Sequence, residues 1–155
     1  LATKVEIRDV EPGDIEALVE NMRQADRDEV AAISSRPLKQ IVQDSVELSS
    51  YVKSGLVNGE IACIWGVCPI SIIGSKGSPW LLATPVIEKH PMAFLRRCKP
   101  FIKKFRSLYK YMENYVDVRN KVAIHWLKWM GFKFDEARPY GVQNKDFYHF
   151  SMESE

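Results

Sequence analysis

Long hydrophobic runs are missing from this sequence. The longest, Ile61 to Cys68, falls far short of the ~20 apolar residues a bilayer-spanning helix needs. The first residues carry Lys4, Glu6 and Arg8, which interrupt any apolar leader, so no signal peptide is read there. Cysteine is scarce and odd in number: Cys63, Cys68 and Cys98. No second Cys/His pair completes a zinc-type spacing, so no metal site is expected. Reduced thiols filling a core, in a reducing compartment, are the expectation. An excess of one charge is also lacking, with a formal net charge of +2. That total does not point to a nucleic-acid or membrane partner.

What remains is ordinary for one globular domain over 1–155, with 46% hydrophobic and 27% charged residues. Val5 to Val10 alternates as a half-buried strand. Glu11-Pro-Gly-Asp14 is a turn with Asp14 as N-cap, and Ile15, Leu18, Val19 and Met22 follow at helical spacing. The helical pattern continues from Asp26 to Ile33, breaks at Ser34-Ser-Arg-Pro37, and resumes from Leu38 to about Tyr51. Asn58-Gly59 between Leu56-Val57 and Ile61–Val67 signals a hairpin. A further strand pair is expected over 69–86, with Gly74 to Pro79 as its loop and Trp80 to Thr84 as its second strand. Pro91 opens a long basic helix to Tyr111, which Pro100 should kink or split. A strand at 114–118, a helix at 121–130, and two strands, 133–137 and 147–152, complete the chain. A mixed sheet with helices on both faces buries such elements.

The segment Asn120-Lys-Val-Ala-Ile-His-Trp-Leu-Lys-Trp-Met-Gly-Phe132 resembles a signature of the GNAT superfamily of acyl-CoA N-acyltransferases, Asn-x-x-Ala-x-x-Leu-Tyr-x-x-x-Gly-Phe. The resemblance implies an α/β fold with a central, mostly antiparallel sheet flanked by helices. It also implies acetyl-CoA or another acyl-CoA as cofactor and an amine as acceptor. The cofactor arm would lie between strands 80–87 and 114–118. It would contact Ala83, Thr84, Val86, His90, Met92, Ala93, Asn120 and Leu127.

Two departures bear on activity. The usual tyrosine position holds Leu127, which has no proton for a leaving thiolate; Tyr115, Tyr140 or Tyr148 would have to substitute. The usual pyrophosphate loop, Arg/Gln-x-x-Gly-x-Gly/Ala, corresponds to Pro85-Val-Ile-Glu-Lys-His-Pro-Met-Ala-Phe94, which has no glycine. A simple helix-start loop is the competing account of that segment. His90 and Glu88 are the candidate general bases. His125 and His149 are weaker ones, being isolated histidines of the kind that more often serve structure. Asn120 reads as a helix cap or as a cofactor contact. The acid-free helix, with Arg96, Arg97, Lys99, Lys103, Lys104, Arg106 and Lys110, reads as a solvated face. Its sharper readings are attraction of cofactor phosphates or docking to an acidic partner or nucleic acid. Trp126 and Trp129 read as core.

Cys63-Ile-Trp-Gly-Val-Cys-Pro69, Ser78-Pro-Trp-Leu-Leu-Ala-Thr84 and His90-Pro-Met-Ala-Phe-Leu-Arg-Arg97 precede the signature in that order. Together they resemble a phage GNAT-like family that includes internal virion protein A of podoviruses. That implies a phage or prophage protein in the virion or the host cytoplasm. It is expected to be an N-acetyltransferase-like protein with degenerate motifs, or a non-catalytic virion or host-interaction protein that keeps the fold.

Overall fold

The computed structural model describes residues 3–71 and 73–154. Its elements run β1 (Val5–Arg8), α1 (Asp14–Asn21), α2 (Gln24–Ile33), α3 (Leu38–Leu48), β2 (Tyr51–Val57), β3 (Glu60–Pro69), β4 (Lys76–Ala83), α4 (Val86–Lys89), α5 (Pro91–Leu108), β5 (Tyr111–Asp117), α6 (Lys121–Met130), β6 (Lys133–Phe134), β7 (Arg138–Tyr140) and β8 (Lys145–Glu153). The strands form one mixed sheet in the order β1-β2-β3-β4-β5-β8-β6, with β7 also paired to β8. All pairings are antiparallel except β4 with β5.

Side-chain alternation along β3 and β4 divides the core between the two faces of the sheet. Ile64 and Leu82 pack under α1 and α3 with Leu18 and Val42. Cys63, Trp65, Val67 and Ala83 face the other way, against Phe94, Leu95 and Phe105 of α5 and Ile124 and Trp126 of α6. Helices α1 and α3 therefore cover one face, and α5 and α6 the opposite one.

Several sequence expectations are corrected. The N-cap of α1 is Gly13, at φ 91°, rather than Asp14. Asp14 is the first helical residue, and its buried carboxylate accepts from Arg8 Nη1, the Glu11 amide and Ser54 Oγ. The helix expected to reach Tyr51 ends at Leu48, and Tyr51 opens β2. The loop expected at 74–79 is largely strand, because β4 starts at Lys76 and takes in Gly77 and Pro79. Both turn formers have a use there. A Cβ on Gly77 would lie 2.6 Å from the Tyr109 ring. Pro79 lies where β4 has left its neighbour and needs no donor. Among the described residues, no separate strand precedes β4 in the 70s.

Helix α5 is not split. It continues through Pro100, which lies on the exposed side where the carbonyl freed at Arg96 can meet water. The tail holds three strands rather than two, β7 falling within the expected loop.

Helix α6 matches its expected bounds. Asn120 Oδ1 accepts from the Ala123 amide, and Gly131 closes the helix at φ 102°. The Phe132 amide then donates to Leu127 O, satisfying a terminal carbonyl.

Gly141, at φ 78°, has the tightest constraint: an added Cβ would sit 2.4 Å from the Ala32 carbonyl, which is backbone and cannot swing aside. Gly141→Ala is expected to cost about 1–3 kcal/mol. The readout is a lower urea midpoint with an unchanged slope.

Candidate functional site

Strands β4 and β5 pair over only two positions, Lys76 with Tyr111 and Gly77 with Met112, and then diverge. The gap opens a cavity of about 240 Å³ through the sheet. Leu81, Cys98, Phe101, Ala123, Leu127 and Met130 give it mostly apolar walls. Arg23, Asp26, Glu29 and Asn120 line its polar end.

The diverging edges leave backbone groups without a ladder, and side chains, with one backbone amide, take most of them up. At the narrow end Asn114 Nδ2 donates to Pro79 O at 2.8 Å, while its Oδ1 accepts the Tyr115 amide at 2.8 Å. At the wide end Asp26 Oδ2 accepts the Ala83 amide at 2.9 Å, and the Arg23 amide donates to Ala83 O at 2.8 Å. On the facing strand, Glu29 Oε1 accepts the Asp117 amide at 2.8 Å. Leu81 turns its N–H and C=O the same way as Ala83, into the gap, by the alternation of the antiparallel ladder. Among the described residues nothing takes up either group of Leu81, which leaves both for a ligand.

The polar end is a connected network. Arg23 is 5% exposed, a burial that a guanidinium tolerates only when paired. Its Nη1 donates to Asp26 Oδ1 at 2.8 Å, its Nε to Glu88 Oε1 at 2.5 Å, and its Nη2 to Asn120 Oδ1 at 3.4 Å. Asn120 Nδ2 returns a bond to Asp26 Oδ1 at 3.0 Å. The guanidinium also lies 5.6 Å from the Trp126 ring centroid. Burial raises the Asp26 carboxyl above its ordinary range, with Arg23 and the Ala83 amide working against it. Burial, with the nearby Asp26 and Asp117 charges, pushes Glu29 up to about 8. Burial also pushes the Cys98 thiol up to about 11, so the wall of the cavity offers no thiolate at neutral pH.

Of the residues expected from sequence, Ala83, Glu88 and Asn120 meet at the Arg23–Asp26 network and Leu127 lines the cavity, while the others have separate places. Glu88 is tied to Arg23. His90 caps α5 without a side-chain cap bond. Thr84 Oγ1 donates to Ile61 O and accepts the Val86 amide. Ala83 presents only backbone, already engaged. Met92 and Ala93 lie in the first turn of α5. Asn120 is both cap and network member, and Leu127 is cavity wall. Of the tyrosines, Tyr115 and Tyr140 stack on each other at 3.9 Å between centroids. His149 pairs with Asp135 at the surface. Trp126 is core, whereas Trp129 is 37% exposed beneath Lys99. Sequence reading missed Arg23, Asp26 and Glu29 as site residues. The available signal was that Asp26, Glu29, Val30 and Ile33 share one face of α2, so the acids point inward with the apolar residues.

An acyl-CoA fits this site only in part. The apolar slot and Leu81 suit an extended amide-bearing arm. The phosphate end does not fit: the amides of Val86, Ile87, Glu88 and His90 are spent on Thr84, Pro85 and Ile87. Pro85 and Pro91 have none, and the first-turn amides of α5 are what remain.

A comparison with curated protein sequences returns no match. Solved structures do match. A GNAT-family acetyltransferase from Streptococcus pneumoniae aligns at TM-score 0.66 and 16% identity, covering 97% of this chain and 100% of that one. The spermidine N-acetyltransferase from Vibrio cholerae, in complex with CoA and spermine, aligns at TM-score 0.70 and 12% identity, covering 96% and 95%. The ribosomal-protein-S18-alanine N-acetyltransferase from Escherichia coli aligns at TM-score 0.66 and 13% identity, covering 97% and 94%. The fold is therefore that of the GNAT acetyltransferases. Residues 61–138, just over half of the chain, match the model of the family described as bacteriophage T7, probable scaffold protein Gp13. The chain belongs to that family.

Proposed function

We propose that this chain is a phage-encoded protein of virion assembly that keeps the GNAT frame as a binding module and transfers no acyl group. Its partner would be a virion or host protein. The observation that carries this reading is the network at the mouth of the β4–β5 gap. Asp26 and Arg23 occupy the Ala83 amide and carbonyl, and Glu88, one of the two candidate bases, is held by Arg23. The loss of free amides in the 85–90 segment and Leu127 in place of a proton donor support it.

A second reading, an N-acyltransferase acting on an amine, is favoured by one observation. The cavity crosses the sheet, and the Glu29 carboxyl in its wall has a pKa of about 8, near the working range of a general base. The two readings part at a titration with acetyl-CoA. We expect no heat by calorimetry and no thermal shift at millimolar ligand. Saturable binding with CoA released in the presence of polyamines would establish the second reading and end the first. The assembly role predicts that mass spectrometry finds the chain in virions or assembly intermediates of the encoding phage. Absence from both would count against it.

Glu29 gives a pH signature of a structural carboxyl. Its folded pKa of about 8 lies above the ordinary 4.5. Below about 4.5 both states hold the proton. Between about 4.5 and about 8 the folded chain holds a proton that the unfolded chain has released, so stability falls as pH rises through that window. Glu29→Gln should flatten this fall, as read from urea midpoints at successive pH values. An unchanged profile would show that Glu29 is not the group responsible.

A further inference from the structure

The net charge of +2 conceals a separation of charge across the sheet. Residues 89–134, which include α5 and α6, hold twelve Lys/Arg against two Asp/Glu, a net of +10. Residues 9–50, which include α1, α2 and α3, hold four Lys/Arg against ten Asp/Glu, a net of −6. Helices α5 and α6 cover one face of the sheet, and α1 and α3 the other.

The basic charges are outward and largely uncommitted, whereas six of the ten acids on the other layer, Asp9, Glu11, Asp14, Glu16, Asp26 and Asp44, are held in ion pairs within the chain. Arg96, Lys99, Lys103 and Arg106 of α5 and Lys121 and Lys128 of α6 are exposed, and none has an acidic partner among the described residues. On the opposite layer Glu20, Asp28 and Glu47 are exposed and lack a cationic partner among the described residues. Apolar side chains accompany both sets. Met92, Leu108, Val122 and Trp129 are exposed on α5 and α6. Leu48 is 67% exposed at the end of α3, next to Glu47. A bare polyanion would use the basic charges and leave the apolar groups wet. A surface with acids and exposed apolar groups uses both. This molecule carries such a surface on its other face.

We propose that the α5–α6 face binds the α1–α3 face of a second copy of this chain. The contact is heterologous: each molecule offers one basic and one acidic face, on opposite sides of its sheet. Such contacts propagate head to tail instead of closing into a two-fold dimer. The charges on which the contact rests stand apart from the cavity, since none of Glu20, Glu47, Lys103, Arg106, Lys121 and Lys128 lines it.

Sedimentation velocity of the full chain tests it, with two charge-reversed variants. At low ionic strength the weight-average mass should rise with protein concentration past that of a dimer. It should return to monomer near 1 M salt, where the screening length falls to about 3 Å. The variant Lys103→Glu with Arg106→Glu loses the basic face, and Glu20→Lys with Glu47→Lys loses the acidic face. Each alone should stay monomeric under conditions where the unaltered chain associates. Mixed in equal amounts, they retain one intact face of each kind and should form a dimer that grows no further. All the altered residues are exposed, and thermal unfolding within a few degrees of the parent confirms that the variants fold. If a variant fails to fold, Lys121→Glu with Lys128→Glu replaces the basic-face change. A monomer at every concentration and salt overturns the proposal. So does association that survives either variant, or a mixture that stays monomeric. Growth limited to a dimer for the unaltered chain would show a closed two-fold contact and also overturn it.

Discussion

The buried pair of Arg23 and Asp26 is the contact on which the rest of this fold depends. It lies where the sheet has stopped pairing, so the Ala83 amide is met by a carboxylate and the Ala83 carbonyl by the Arg23 amide in place of a neighbouring strand. Through it the start of α2 reaches the edge of β4, the short helix α4 and the cap of α6. Glu29, one turn further along the same helix, reaches β5. Breaking a buried pair of this kind leaves an uncompensated charge, a loss of about 3–5 kcal/mol. That is a large part of the stability of a domain of this size.

The same arrangement separates frame from chemistry. The solved acetyltransferases align over nearly the whole chain at 12–16% identity, which establishes the fold and leaves the reaction to be argued from the site. Here the gap that could admit an acyl donor is bounded at both ends by the chain's own groups, Asn114 at the narrow end and Arg23, Asp26 and Glu29 at the wide one. The segment that would need to wrap a pyrophosphate has folded its amides into α4. A site can thus keep its shape while its hydrogen-bonding capacity is turned inward.

Features set by a few adjacent residues could be read from the sequence. Asn58-Gly59 announced its hairpin, and Asn120 to Phe132 announced a helix with its cap and exit, because capping and turn chemistry are local. The misreadings came from residues whose meaning is set by a distant neighbour. Gly77 and Pro79 look like a turn until Tyr109 closes on one and β5 departs from the other. Pro100 looks like a break until its side of α5 proves to face water. Arg23 and Asn120 are 97 positions apart, and no window on the chain brings them together. The charge separation was hidden for the same reason: a sum over the sequence cancels what the sheet holds apart.

The two-pair ladder between β4 and β5 also has a mechanical meaning. β3 with β4 and β5 with β8 each share seven paired positions, so the sheet is two well-laced halves joined along a nearly unlaced seam. Backbone bonds would carry a load within each half, whereas across the seam it falls on a handful of side chains. Force applied across the strands would open the molecule there first, leaving two intact half-sheets, and the rupture point is written in carboxylates and a guanidinium instead of peptide groups.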